Sequence, residues 1–185
     1  MSTLRQLAHA PLRKALPLLA LLLSACAGSP PLPAHEADLG LPRQAHIVQR
    51  EDGQPDLDRL LVVQQEGQAS RWSLFDPLGV PLARQLLEAG RWRNDGLLPP
   101  NGQARELFAS LIFAWMTQSQ LKQAYGPDTW QEKTLVDGHR QRIYWHDGSP
   151  RWAIEWAASS KTQDTFMIKQ ENGIRWLVAP LKEQP

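Results

Sequence analysis

The spacing of apolar residues changes twice along this chain. From residue 45 to residue 94 it alternates in short runs, which predicts strands over 45–50, 59–65, 69–75, 80–87 and 90–94. Turn-forming stretches separate them: Glu51-Asp52-Gly53-Gln54-Pro55, Glu66-Gly67-Gln68 and Asp76-Pro77-Leu78-Gly79. Trp72 and Leu74 share one face of the third run. Across 103–116 the period becomes helical: Leu107, Phe108, Leu111, Ile112, Trp115 and Met116 form one stripe. Asn101 is placed to cap this helix. Thr117 is placed to cap a second, shorter one through Leu121 and Tyr125, which Gly126-Pro127 ends.

Alternation then returns. Residues 140–146 put Ile143 and Trp145 on one face, with Arg140 and Arg142 on the other. Residues 151–157 align Trp152, Ile154 and Trp156, and 165–170 pair Phe166 with Ile168. Asn172-Gly173 is a hairpin signal, followed by Ile174, Trp176 and Val178 on one face. Strands, then helices, then strands predict a mainly β fold with inserted helices. Its expected form is a curved antiparallel sheet or open half-barrel, with one or two helices covering the concave face.

Before residue 45 the pattern is different. Arg5, Arg13 and Lys14 precede a short apolar run, residues 16–23, which ends in Leu23-Ser24-Ala25-Cys26. A basic start, a brief apolar core and small residues before the cut are the parts of a secretory signal peptide. The run is far short of the roughly 20 residues that span a bilayer. Pro30, Pro31, Pro33 and Pro42 then make 26–44 read as a stiff, extended tether. The expected organisation is a signal peptide over 1–25, a tether over 26–44 and one folded domain over 45–182.

Charge and composition narrow the function. The chain has 20 basic and 19 acidic residues; three of the basic ones and none of the acidic ones fall in the leader. The mature chain is thus slightly acidic, and no basic run stands out, which argues against nucleic acid as partner. Cys26 is the sole cysteine, so no disulfide or cysteine–metal site can form within the chain. No phosphate-binding glycine loop, nucleophile elbow or zinc-protease helix motif is present. His139 and His146 are seven apart, which puts them on opposite faces of one strand. No catalytic residue, metal site or cofactor is expected, and the chain reads as a non-enzyme.

Two features remain for function. Eight tryptophans all lie in the mature part. With the helix stripe they give two open readings: a core, or the lining of an apolar cavity built from Trp72, Leu74, Leu107, Leu111, Trp115, Trp145, Trp152, Ile154, Trp156, Phe166, Ile168 and Trp176. Leu78, at the tip of a turn, is either an incidental exposed leucine or a membrane-contact tip.

Leu23-Ser24-Ala25-Cys26 resembles the lipobox of bacterial lipoproteins. That resemblance implies cleavage before Cys26 and acyl chains on it. Each buried CH₂ contributes about 0.8 kcal/mol, so several chains would hold the protein firmly. Ala27 in place of an aspartate implies sorting to the outer membrane. The segment Trp72-Ser73-Leu74-Phe75-Asp76-Pro77-Leu78-Gly79-Val80 is similar to the strand–turn–strand of the LolB lipoprotein receptors. The helical stretch and the runs Arg140-Gln141-Arg142-Ile143-Tyr144-Trp145, Arg151-Trp152-Ala153-Ile154-Glu155-Trp156 and Gly173-Ile174-Arg175-Trp176-Leu177-Val178 follow in the matching order. The chain is more similar still to LolB-like lipoproteins associated with aryl-polyene gene clusters. The resemblance implies a helix-lidded half-barrel, a cavity for acyl chains, and a membrane-entering role for Leu78. The expected partners are the membrane, through Cys26, and an acylated lipid or lipoprotein cargo delivered by a periplasmic carrier. The expected setting is a monomer on the periplasmic side of the outer membrane. The other reading is a structural or accessory envelope lipoprotein that acts through protein contacts and has no ligand cavity.

Overall fold

Among the described residues ten strands form one sheet, with short turns joining β1 through β5, β6 through β8, and β9 to β10. A computed structural model describes residues 29–158 and 164–181. The strands are β1 (Arg43–Arg50), β2 (Leu57–Glu66), β3 (Ala69–Phe75), β4 (Pro81–Glu88), β5 (Arg91–Asn94), β6 (Trp130–Thr134), β7 (Arg140–His146), β8 (Ser149–Trp156), β9 (Phe166–Gln170) and β10 (Arg175–Pro180). Their order is β5-β4-β3-β2-β1-β10-β9-β8-β7-β6, and every pairing is antiparallel. The first and last strands of the sequence meet in the middle, so β5 and β6 are the two free edges.

The chain must therefore cross from one edge to the other between β5 and β6. It does so through α1 (Gly102–Trp115) and α2 (Gln118–Ala124). Asn101 caps α1, its side chain accepting from the Ala104 N–H at 2.9 Å. Thr117 caps α2 in a reciprocal capping box with Gln120. Ala104 and every residue from Leu107 to Ala114 are buried, which means α1 is covered all round and not along one stripe.

Two ring contacts show how the sheet accommodates it. Trp72 of β3 lies 5.4 Å from Phe108, and Trp152 of β8 lies 5.8 Å from Phe113. These strands are five places apart in the sheet, roughly 24 Å if it were flat. A helix with its side chains is only about 10–12 Å across, so the sheet curls round α1.

Three differences from the sequence reading concern the site. First, β6 emerges from a polar run, Trp-Gln-Glu-Lys-Thr, in which no strand is expected. Secondly, residues 31–42 are not a free tether. Leu39 is buried, and Leu32, Ala37 and Leu41 pack against the core, so the domain takes in residues from Pro31 onward. Thirdly, β7 presents the opposite face to the one expected. Arg142 and Tyr144 point inward, opposite Ile154 and Trp152, while Ile143 and Trp145 are only half-buried. A register shift between Tyr144 and Trp145 completes the difference.

Candidate functional site

The expected cavity residues are brought together, but mostly as core. Trp72, Leu74, Leu107, Leu111, Trp152, Ile154, Trp156, Phe166, Ile168 and Trp176 are all buried in one apolar cluster. Trp115 is partly buried against that cluster. Trp145 does not belong to it, because β7 turns Arg142 inward in its place. The rings form two groups on either side of α1. Trp72 stacks on Trp115 and meets Trp92 edge-on, with centroids 5.9 Å apart in both cases. Phe113 meets Tyr125, Tyr144 and Trp152 within 5.8 Å. Offset and edge contacts of this kind add to the burial of the rings.

Polar side chains tie down both ends of α1. At its start, Glu106 accepts a forked pair of bonds from Arg151 at 2.7 and 2.8 Å, and one from the Trp152 indole at 2.6 Å. At its end, Arg142 donates to the backbone carbonyls of Phe113, Ala114 and Met116 at 2.6, 3.2 and 3.0 Å. These are carbonyls that a helix terminus leaves without partners. The same guanidinium pairs with Glu132 of β6 at 2.7 Å. Burial pulls Arg142 below its ordinary pKa and the Glu132 charge partly restores it. Burial pushes the Glu132 carboxyl up, but Arg142, a bond from Gln118 and the Arg140 charge together hold it below the usual value. Burial, reinforced by Tyr144, raises the Tyr125 phenol well above its ordinary pKa and keeps it neutral.

An opening lies beside this core. A groove of ≈ 430 Å³ runs between residues 32–41 and the ends of β2, β3 and β4, within the size range of small-molecule sites. Leu39, Leu41, Leu87 and Ile112 give it an apolar side, and His35, Glu36, Gln65 and Gln68 give it a polar one. Ile112 belongs to the helix stripe, so the groove reaches α1. Pattern reading missed the site because its outer wall is the proline-rich segment, which has no period to detect.

Leu78 is held outward by its own turn. Asp76 accepts from the N–H groups of Leu78 and Val80 at 2.9 and 2.8 Å, and the Gly79 N–H returns to the Asp76 carbonyl at 3.0 Å. Gly79 sits at φ +82°, a conformation suited to glycine. Leu78 is 89% exposed and Val80 52%. Ser70 pairs with Leu87 near the groove, whereas Phe75 pairs with Pro81 near the tip. Tip and groove therefore lie at opposite ends of β3, roughly 20 Å apart.

Cys26, the expected lipid attachment, lies outside the described residues. Among the described residues no three His, Cys, Asp or Glu side chains converge as a metal site would need. Nor is any helix there long and apolar enough to cross a membrane. Compared with known proteins, the chain has no matching family model and no significant match among curated proteins.

Proposed function

We propose that this is a lipid-anchored outer-membrane protein of the LolB-like class. It is held by acyl chains on Cys26 with its domain in the periplasm. It takes up one acylated molecule, a lipoprotein or an aryl-polyene-type lipid, and helps place it in the outer membrane. The observation that carries this reading is the ≈ 430 Å³ groove, lined both by apolar residues that include Ile112 of α1 and by the polar His35, Glu36, Gln65 and Gln68. Such a site suits a hydrocarbon chain whose head group stays in water. Contacts with methylene groups are broad and undirected, so the chain can be held and released without a cofactor.

Lipid extracted from residues 26–185 carrying Cys26→Ser, exported behind an unrelated cleavable signal peptide and purified from the periplasmic fraction without detergent, tests the reading. Mass spectrometry is expected to find close to one acylated molecule per chain. A protein free of extractable lipid favours the second reading, an accessory envelope lipoprotein. That alternative draws on the packing of ten of the twelve expected cavity residues into the core.

The tip gives a separate prediction. Leu78 is 89% exposed at the end of β3 far from the groove, where it is free to touch a bilayer. Burying one leucine is worth about 1.5–3 kcal/mol. Leu78→Asp in the Cys26→Ser protein is thus expected to lower partitioning onto phosphatidylethanolamine–phosphatidylglycerol vesicles at least tenfold. Urea stability is expected to change by no more than about 0.5 kcal/mol, as for other surface changes. Equal partitioning of the two proteins removes the tip from the account.

A further inference from the structure

We infer that residues 32–41 are a lid over the groove, and that the incoming acyl chain takes the place of Leu39 and Leu41 when the lid lifts. This rests on the acyl-binding reading above and says which part of the molecule moves. α1 is poorly suited to move. Its first turns are tied to β8 through Glu106, Arg151 and Trp152, and its last carbonyls are tied to β7 through Arg142.

The strap is held by far less. Among the described residues no sheet pairing precedes Arg43. Two bonds fix its body to α2: Ala34 N–H to the Ala124 carbonyl, and Gln120 Nε2 to the Asp38 carbonyl, each 2.9 Å. Its base is clamped at Arg43, which lies 5.0 Å over the Trp115 ring and pairs with Asp164 at 3.1 Å. The Arg43 bond to the Leu39 carbonyl is a third tie, one that lifting Leu39 breaks. Just before the clamp, Gly40 adopts φ +64°. A segment fixed at one end and loosely bonded along its length can swing about that end.

What it covers points to the occupant. Leu39 is buried, and lifting the strap exposes an apolar seat that continues to Leu87 and Ile112 on α1. Away from the strap the groove is lined by Leu87, Ala89, Gly90 and Ile112 with Gln65, Gln68 and Ser70 and no charged side chain, which suits one hydrocarbon chain.

Two variants of the mature Cys26→Ser chain test this. Leu39→Ser removes the main apolar hold. Gln120→Glu keeps the side-chain oxygen that serves the Thr117 capping box but loses the donor to Asp38. Association of a fluorescent long-chain fatty acid is followed by stopped flow, and amide exchange is followed at Ala34 and along β3. When only the open form binds, association scales with its population, so Leu39→Ser is expected to speed it roughly tenfold and Gln120→Glu by a smaller factor. Ala34 should exchange faster in both while β3 stays protected. If Leu39→Ser fails to fold, Gln120→Glu decides the matter alone. Faster exchange at Ala34 with unchanged association overturns the lid and leaves the acyl-binding reading standing. Absence of binding by the parent and both variants overturns the two together.

Discussion

Arg142→Met is expected to cost about 3–5 kcal/mol of unfolding free energy, the range for removing one partner of a buried ion pair. Arg142 is 2% exposed, and its guanidinium does two jobs at once. It neutralises Glu132, whose side chain is 8% exposed, and it satisfies three carbonyls at the end of α1. Methionine keeps much of the volume and does neither. Urea unfolding of the mature Cys26→Ser chain measures the loss, and a cost below about 1 kcal/mol would show that water replaces the guanidinium. The pH dependence supplies a second reading. Glu132 has a depressed pKa in the fold, so its contribution is present above the ordinary carboxyl value, about 4.3. That contribution is lost as pH falls through the lower folded value, because the unfolded chain binds the proton first. In Arg142→Met the burial effect on Glu132 has lost its chief opponent, so its pKa is expected to rise above the ordinary value. The contribution of Glu132 should then reverse, favouring the fold at low pH and opposing it as pH increases.

Trp72→Ala is expected to cost about as much, roughly 3–5 kcal/mol, as for other large-to-small aromatic changes in a core. Trp72 is fully buried where β3 meets α1, touching Phe108, Trp92 and Trp115. Its indole N–H donates to Ser70 Oγ at 2.9 Å. Removing it leaves a void between sheet and helix, and α1 is held at both ends by polar ties that resist collapse into the gap. Calorimetry or urea unfolding would record the loss. A Trp72/Phe108 double-mutant cycle should show coupling of about 0.5–1.5 kcal/mol. Near-zero coupling would mean that the two rings do not pack as described.

These two residues also mark how far the sequence could be read. Trp72 and Leu74 alternate with Arg71 and Ser73, and their inward placement follows from that alternation. Asn101 and Thr117 announce the helices because a short oxygen-bearing side chain before an apolar period has one common use. Arg142 could not be read in this way. Its place in the interior depends on carbonyls of α1, about 26–29 residues away, and no local pattern signals that match. The misassigned face of β7 and the misplaced Trp145 are one consequence. β6 was hidden because it is an edge strand and lacks the regular apolar face of an inner strand. The strap was hidden because Leu32, Leu39 and Leu41 follow no period, and prolines between apolar residues look the same in a tether and in a packed segment. Hence the sheet and helices were legible, whereas the groove, walled by that strap, was not.

The strap and the groove point to a use that the core alone does not. A core packed with tryptophan needs no ligand to be stable. A groove that reaches α1 beneath a weakly bonded lid is useful only if something enters it. The most direct test is an equilibrium titration of the mature Cys26→Ser chain with a fluorescent long-chain fatty acid, followed by competition with the unlabelled acid. Saturable binding at one site per chain, fully displaced by the competitor, is the predicted result. A signal that rises without saturation and resists displacement would contradict the account and leave a protein whose interior is closed to acyl chains.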